Sequence, residues 1–153
     1  MVTAMSDDMN KQVGKVTFEG NYATLRYERY FPHPPEKVWK AITDPEEVSQ
    51  WFSTTAKIDA RLGGALEYIA VPVGFRRTGS ILEWNPPHVF EHEMHVDPHP
   101  QLPKGEPESV IRWELARHDY DTIVTVTHSR LVKDTSIRFA IGWHSFQIGR
   151  AHV

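Results

Sequence analysis

The most constraining feature of this chain is its punctuation. Strand-length segments follow one another from Ala56 onward, and each is stopped by turn formers. The segments are Ala56–Arg61, Ala65–Val71, Gly79–Trp84, Phe90–Val96, Val110–Ala116 and Thr122–Ser129. Between them lie Gly63-Gly64, Pro72 to Gly74, Asn85-Pro86-Pro87, the Pro-rich stretch 98–107, and Asp119 to Asp121. Connections this short cannot hold the crossover helices of a parallel sheet, so the segments form one antiparallel sheet of about six or seven strands.

The first half adds two short helices. Lys15 to Phe31 is strand-like, with Leu25, Tyr27 and Phe31 on one parity and a turn candidate at Gly20-Asn21. Pro32-His33-Pro34-Pro35 ends it, and Pro35 suits the first helical turn, where a missing N–H costs nothing. Val38, Trp39 and Ile42 then share a helical face. Asp44 can cap a second helix from Pro45 to Phe52, with Val48, Trp51 and Phe52 turned inward. A further helix starts near Asp134, carrying Ile137, Ile141, Trp143 and Phe146. Trp39 and Trp51 read as core anchors.

Composition narrows the function classes. With 153 residues, one domain is expected, and it is large enough to fold without a disulfide or metal. There is no Cys, which excludes thiolate metal sites and Cys catalysis. Seventeen basic and 20 acidic residues leave a net charge of −3, too balanced for nucleic acid or an anionic membrane as the main partner. No apolar run approaches the roughly 20 residues of a membrane span. The N-terminus lacks the apolar core of a signal peptide, so a cytoplasmic location is expected. Residues 1–14 read as a disordered lead-in, with Met5 and Met9 as alternative starts. Aromatic residues reach 11%, enough to fill a large core or line a pocket.

The order of elements and several motifs resemble the Hsp90-ATPase-activator-homologue-like branch of the SRPBCC superfamily, also described as START-like or Bet v 1-like. The stretches that carry the resemblance are PPEKVWKAITDPEEVSQWF (34–52), DARLGGALEY (59–68), GSILEWNPPHVFEHEM (79–94), TIVTVTHSRL (122–131) and GWHSF (142–146). The resemblance implies an α+β helix-grip fold over residues 15–147, in which a curved antiparallel sheet wraps a C-terminal helix around a hydrophobic cavity. In the family that helix continues for several turns beyond GWHSF. Here IGRAHV follows at 148–153, a hexapeptide like the translation of a sequencing adapter. Residues 148–153 are therefore expected to be a non-native tail that cuts the helix short.

Candidate site residues follow from parity and chemistry. Tyr68, Trp84, Phe90 and Met94 are candidates to line the cavity, as are Trp113 and Trp143, the latter two facing each other across the gap between sheet and helix. His92 shares parity with Phe90 and Met94, and His128 with Val124 and Val126, so both can face inward as polar groups. Glu83 and His128 are the catalytic candidates, although Leu82 and Trp84 leave the parity of Glu83 open. Asp59 and Arg61 can pair at a strand end. His88, His92, His95 and His99 crowd together. However, HEMH lacks the spacing of a helical zinc motif, and His92 and His95 point to opposite faces of a strand, so no metal is expected. No phosphate loop or nucleophile elbow occurs, no cofactor is expected, and no Ser stands beside a recognisable base.

The expected function is binding of a small hydrophobic ligand between the sheet and the C-terminal helix. The alternative is a cyclase- or hydrolase-type enzyme using Glu83, His92 and His128 in the same cavity, or a co-chaperone that stimulates an Hsp90-type ATPase. That last name belongs to larger proteins with a further N-terminal domain, so an Hsp90-type chaperone is not the expected partner. A homodimer is left open.

Overall fold

A computed structural model describes residues 14–51 (Trp51 by its backbone alone), 54–70 and 74–132. The expected C-terminal helix with Trp143, the expected non-native tail at 148–153, Phe52 and the side chain of Trp51 lie outside that description.

The fold is α+β, of the helix-grip kind. Among the described residues, eight strands form a single antiparallel sheet: β1 (Lys15–Glu19), β2 (Tyr22–Phe31), β3 (Thr54–Ile58), β4 (Ala65–Ala70), β5 (Arg76–Asn85), β6 (Val89–Val96), β7 (Glu106–His118) and β8 (Asp121–Val132). The spatial order is β1-β2-β8-β7-β6-β5-β4-β3. The expected six or seven strands become eight because Gly20, at φ 61°, turns the first segment into a hairpin.

Between β2 and β3 the chain forms α1 (Pro35–Thr43) and α2 (Pro45–Trp51). Pro35 occupies the first turn of α1. Asp44 caps α2 as its composition predicts, its Oδ1 accepting from the Glu46 N–H at 3.0 Å. Val38, Trp39, Ala41 and Ile42 are buried. Arg117 of β7 ties α1 down by donating to Glu36 at 2.7 Å, and Thr122 of β8 fixes the approach to α1 by donating to the His33 carbonyl at 2.7 Å.

Strict alternation gives the sheet its two faces. On β6, Phe90, His92, Met94 and Val96 are buried, while Glu91, Glu93 and His95 are part-exposed on the other side. On β7, Ile111, Trp113 and Leu115 are buried, and Arg112 and Glu114 face outward, as period 2 requires. β7 starts four residues earlier than the sequence suggests, so Glu106 and Pro107 belong to a strand rather than to the Pro-rich loop. The register slips between Met94 and Val96 of the neighbouring strand, and such an irregularity tolerates a residue without an N–H.

Candidate functional site

The strand registers place the buried residues in rows across the inner face. In one row Ile81 of β5 stands opposite His92 of β6, His92 opposite Ile111 of β7, Ile111 opposite His128 of β8, and His128 opposite Leu25 of β2. Two histidines therefore alternate with three aliphatic residues. His92 is 2% exposed and His128 1%. With Ile111 between them, their Cα atoms are about 9–10 Å apart, two strand spacings.

The adjacent row runs Trp84, Phe90, Trp113, Val126, Tyr27. α1 closes this end. Trp39 meets Trp84 with ring centroids 5.1 Å apart and Phe90 at 6.2 Å, both edge-on. Trp39 is thus the core anchor expected of it, and Trp84 and Phe90 form an aromatic plug with it. Ser109 lies towards the other end. Ser109 is buried beside His128, and Met94 stands opposite Ser109. The ring of buried Tyr68 lies 6.2 Å from that of His92, and the Phe90 ring lies 4.9 Å from it.

The hydrogen bonds fix how these groups present themselves. Ser109 Oγ donates to the Met94 carbonyl at 3.2 Å and lies 2.8 Å from His128 Nε2. A carbonyl only accepts, so both contacts are hydrogen bonds when the Nε2–H of His128 donates to Ser109. His92 Nδ1 lies 2.9 Å from the Glu93 carbonyl, so the proton sits on Nδ1 and the lone pair on Nε2. Burial pushes His92 down to about 4, against the small upward pull of the Glu93 carbonyl. It pushes His128 down to about 3, helped by repulsion from His92 and Arg77. Both rings are neutral at neutral pH. Burial likewise raises the Tyr68 hydroxyl, which stays protonated.

Of the proposed site residues, the structure brings Tyr68, Trp84, Phe90, His92, Met94, Trp113 and His128 onto one face. It does not bring Glu83 there. A register shift between Ile81 and Glu83 turns Glu83 to the outer face, where Arg112 donates to it at 2.9 Å. Arg112 is also 3.6 Å from both Glu91 and Glu114. Asp59 and Arg61 form their expected exposed pair at 2.8 Å. His95 contacts Asp97 at 3.2 Å, and the His99 ring lies tilted against that of Phe75 with centroids 4.4 Å apart. No three such ligands group to hold a metal among the described residues, and no described helix is long and apolar enough to cross a membrane.

Sequence reasoning missed Ser109. It sits 19 positions before His128 and just outside the expected strand, so only the β7–β8 register brings the two together.

The molecule is thus an antiparallel sheet with a buried inner face and with α1 and α2 inserted after its second strand. Residues 32–147 match the family described as Activator of Hsp90 ATPase homolog 1-like protein. The chain belongs to this family. Solved structures share the fold of this Hsp90-activator-like chain at low identity. CalU16 from Micromonospora echinospora is 19% identical, with a TM-score of 0.65 over 87% of this chain and 78% of its own. Mll3558 from Rhizobium loti is 19% identical, with a TM-score of 0.69 over 85% and 92%. DynU16, from the dynemicin biosynthetic locus, is 21% identical, with a TM-score of 0.68 over 80% of this chain and 44% of its own. No curated protein matches. The family match and these structures agree on the helix-grip architecture of the chain.

Proposed function

We infer that this protein binds a small, mostly apolar molecule inside the domain, against the inner face of the sheet, and orients it through His92. The observation that carries this reading is the row of two neutral histidines set among aliphatic and aromatic side chains. Such a face suits a ligand with an apolar body and few polar groups. His92 has spent its N–H on the Glu93 carbonyl, and its Nε2 offers a lone pair. The complementary ligand therefore carries an O–H or N–H donor, such as a phenol. Trp113 and Phe90 supply the apolar wall. Trp143, from outside the described residues, remains part of the proposed lining.

The test is a fluorescence titration with 2-naphthol and its methyl ether, which differ in the one donor. Naphthol should bind roughly tenfold tighter, the worth of one hydrogen bond in a dry site. His92→Phe should erase the difference while retaining the ether. Failure of both probes to bind, or equal affinity for both in the wild type, would overturn the reading.

A second reading is chemistry on the bound molecule, of the cyclase or hydrolase kind. The comparisons lean towards an activity rather than storage: the family description names activation of an ATPase, and DynU16 comes from a biosynthetic locus. On the inner face, the Ser109–His128 contact is a pair that could serve as nucleophile and base. Two features weaken it as such. The Ser109 proton points at the Met94 carbonyl, and a histidine pushed down to about 3 is a poor base. Stimulation of an Hsp90-type ATPase is tested separately, by adding this chain to the purified ATPase and following phosphate release.

A further inference from the structure

Strand β1 ends the sheet, and its five residues, Lys-Val-Thr-Phe-Glu, are all exposed. Its one neighbour among the described residues is β2, so its outer backbone edge has no strand beside it there. Lys15, Thr17 and Glu19 share one parity. Val16 and Phe18 share the other, standing opposite the buried Leu25 and Ala23. Val16 thereby extends the row of Leu25 and His128 to the sheet margin. It is 40% exposed and Phe18 56%, so the apolar inner face runs out into solvent at this edge.

The strand is also self-complementary. An antiparallel copy centred on Thr17 sets Lys15 opposite Glu19, Thr17 opposite Thr17, and Val16 opposite Phe18. By two-fold symmetry each charge and apolar pair occurs twice. Both ion pairs would lie on the outer face and both apolar pairs on the inner face, in keeping with the existing parity. Neither Lys15 nor Glu19 forms an ion pair among the described residues.

The opposite edge is protected. α2 packs against β3, and exposed Lys57 sits inside that strand, the usual device against edge pairing. Antiparallel to β3 in the centred register, Val16 would face Lys57. The sequence therefore favours closed pairing of β1 with itself over an open β1-to-β3 chain.

We propose that this protein forms an isologous dimer by antiparallel pairing of β1 with β1 of a second copy, which continues the sheet across the two-fold axis. Five residues a side is a small interface, so the dimer is transient and concentration-dependent.

Sedimentation velocity over a concentration series tests this with charge swaps. Wild type should show reversible dimerisation that weakens as salt rises. Lys15→Glu and Glu19→Lys each turn both ion pairs into repulsions and should raise the dimer dissociation constant at least roughly tenfold. An equimolar mixture of these two variants restores both pairs and should dimerise like the wild type, as should the double swap. Both side chains are exposed, so far-UV circular dichroism should confirm that all variants are folded. A wild type that is monomeric at every concentration overturns the proposal. So does a dimer indifferent to either single swap, or a mixture of the swaps that stays monomeric.

Discussion

Ser109 Oγ and His128 Nε2 lie 2.8 Å apart across two neighbouring strands, in a part of the inner face where both residues are buried. The serine links the histidine to the Met94 carbonyl, so three strands share one polar chain. Ser109→Ala removes the acceptor for the His128 N–H and should cost about 1–3 kcal/mol, read by urea unfolding. Ser49→Ala, at an exposed hydroxyl, should change stability by less than about 0.5 kcal/mol. Equal effects would mean that the buried contact carries no special weight.

His92 and His128 also set a pH dependence. Their folded pKa values, about 4 and about 3, lie below the unfolded value of about 6.5. The unfolded chain therefore binds more protons between these limits, and stability falls as pH falls below about 6.5. The two histidines contribute fully above that pH. Each should subtract up to roughly 1.4 kcal/mol per pH unit below it, until its folded value is reached. Urea unfolding between pH 6.5 and 5 should give this slope, and His92→Gln should reduce it to about half. A stability independent of pH across that window would contradict the neutral buried pair.

Trp113 and Glu114 are neighbours with opposite fates. Trp113 is buried between Phe90 and Val126, and Glu114 faces outward near Arg112. Trp113→Ala should cost about 3–5 kcal/mol in thermal or urea unfolding, and Glu114→Ala less than about 0.5 kcal/mol. In the naphthol titration Trp113→Ala should weaken binding and Glu114→Ala should not. Equal losses would remove Trp113 from the apolar wall.

Gly79 of β5 allows a close approach of two strands. A Cβ built there would lie 1.8 Å from the Glu93 carbonyl oxygen, and neither backbone can yield without breaking the ladder. Gly79→Ala should destabilise the fold by more than about 2 kcal/mol. An alanine variant with wild-type unfolding behaviour would show that β5 and β6 can separate at this point.

Glu83→Gln should leave both probe binding and any turnover unchanged, because Glu83 is held on the outer face by Arg112. A loss of either on this substitution, in a folded variant, would place a functional site on the other side of the sheet.

What the sequence determined by itself is what depends on near neighbours along the chain. Period-2 alternation put His92, Met94 and Trp113 on one face and Arg112 and Glu114 on the other, and the structure agrees. The Pro35 start and Asp44 cap bounded α1 and α2, because caps act within a single helical turn. The motif V-W-x-A-x-T-D-P-E carried the family resemblance. What only the tertiary structure decided depends on register between distant segments. β2 pairs with β8 about a hundred residues later, and this pairing puts His128 beside Leu25. The slip beside Glu83 sent that residue outward, although Leu82 and Trp84 left its parity undecided. Ser109 met His128 through the same kind of long-range pairing. Alternation says which residues share a face of one strand. Which of them touch is set by strand order and register, and these arise from the packing of the whole sheet.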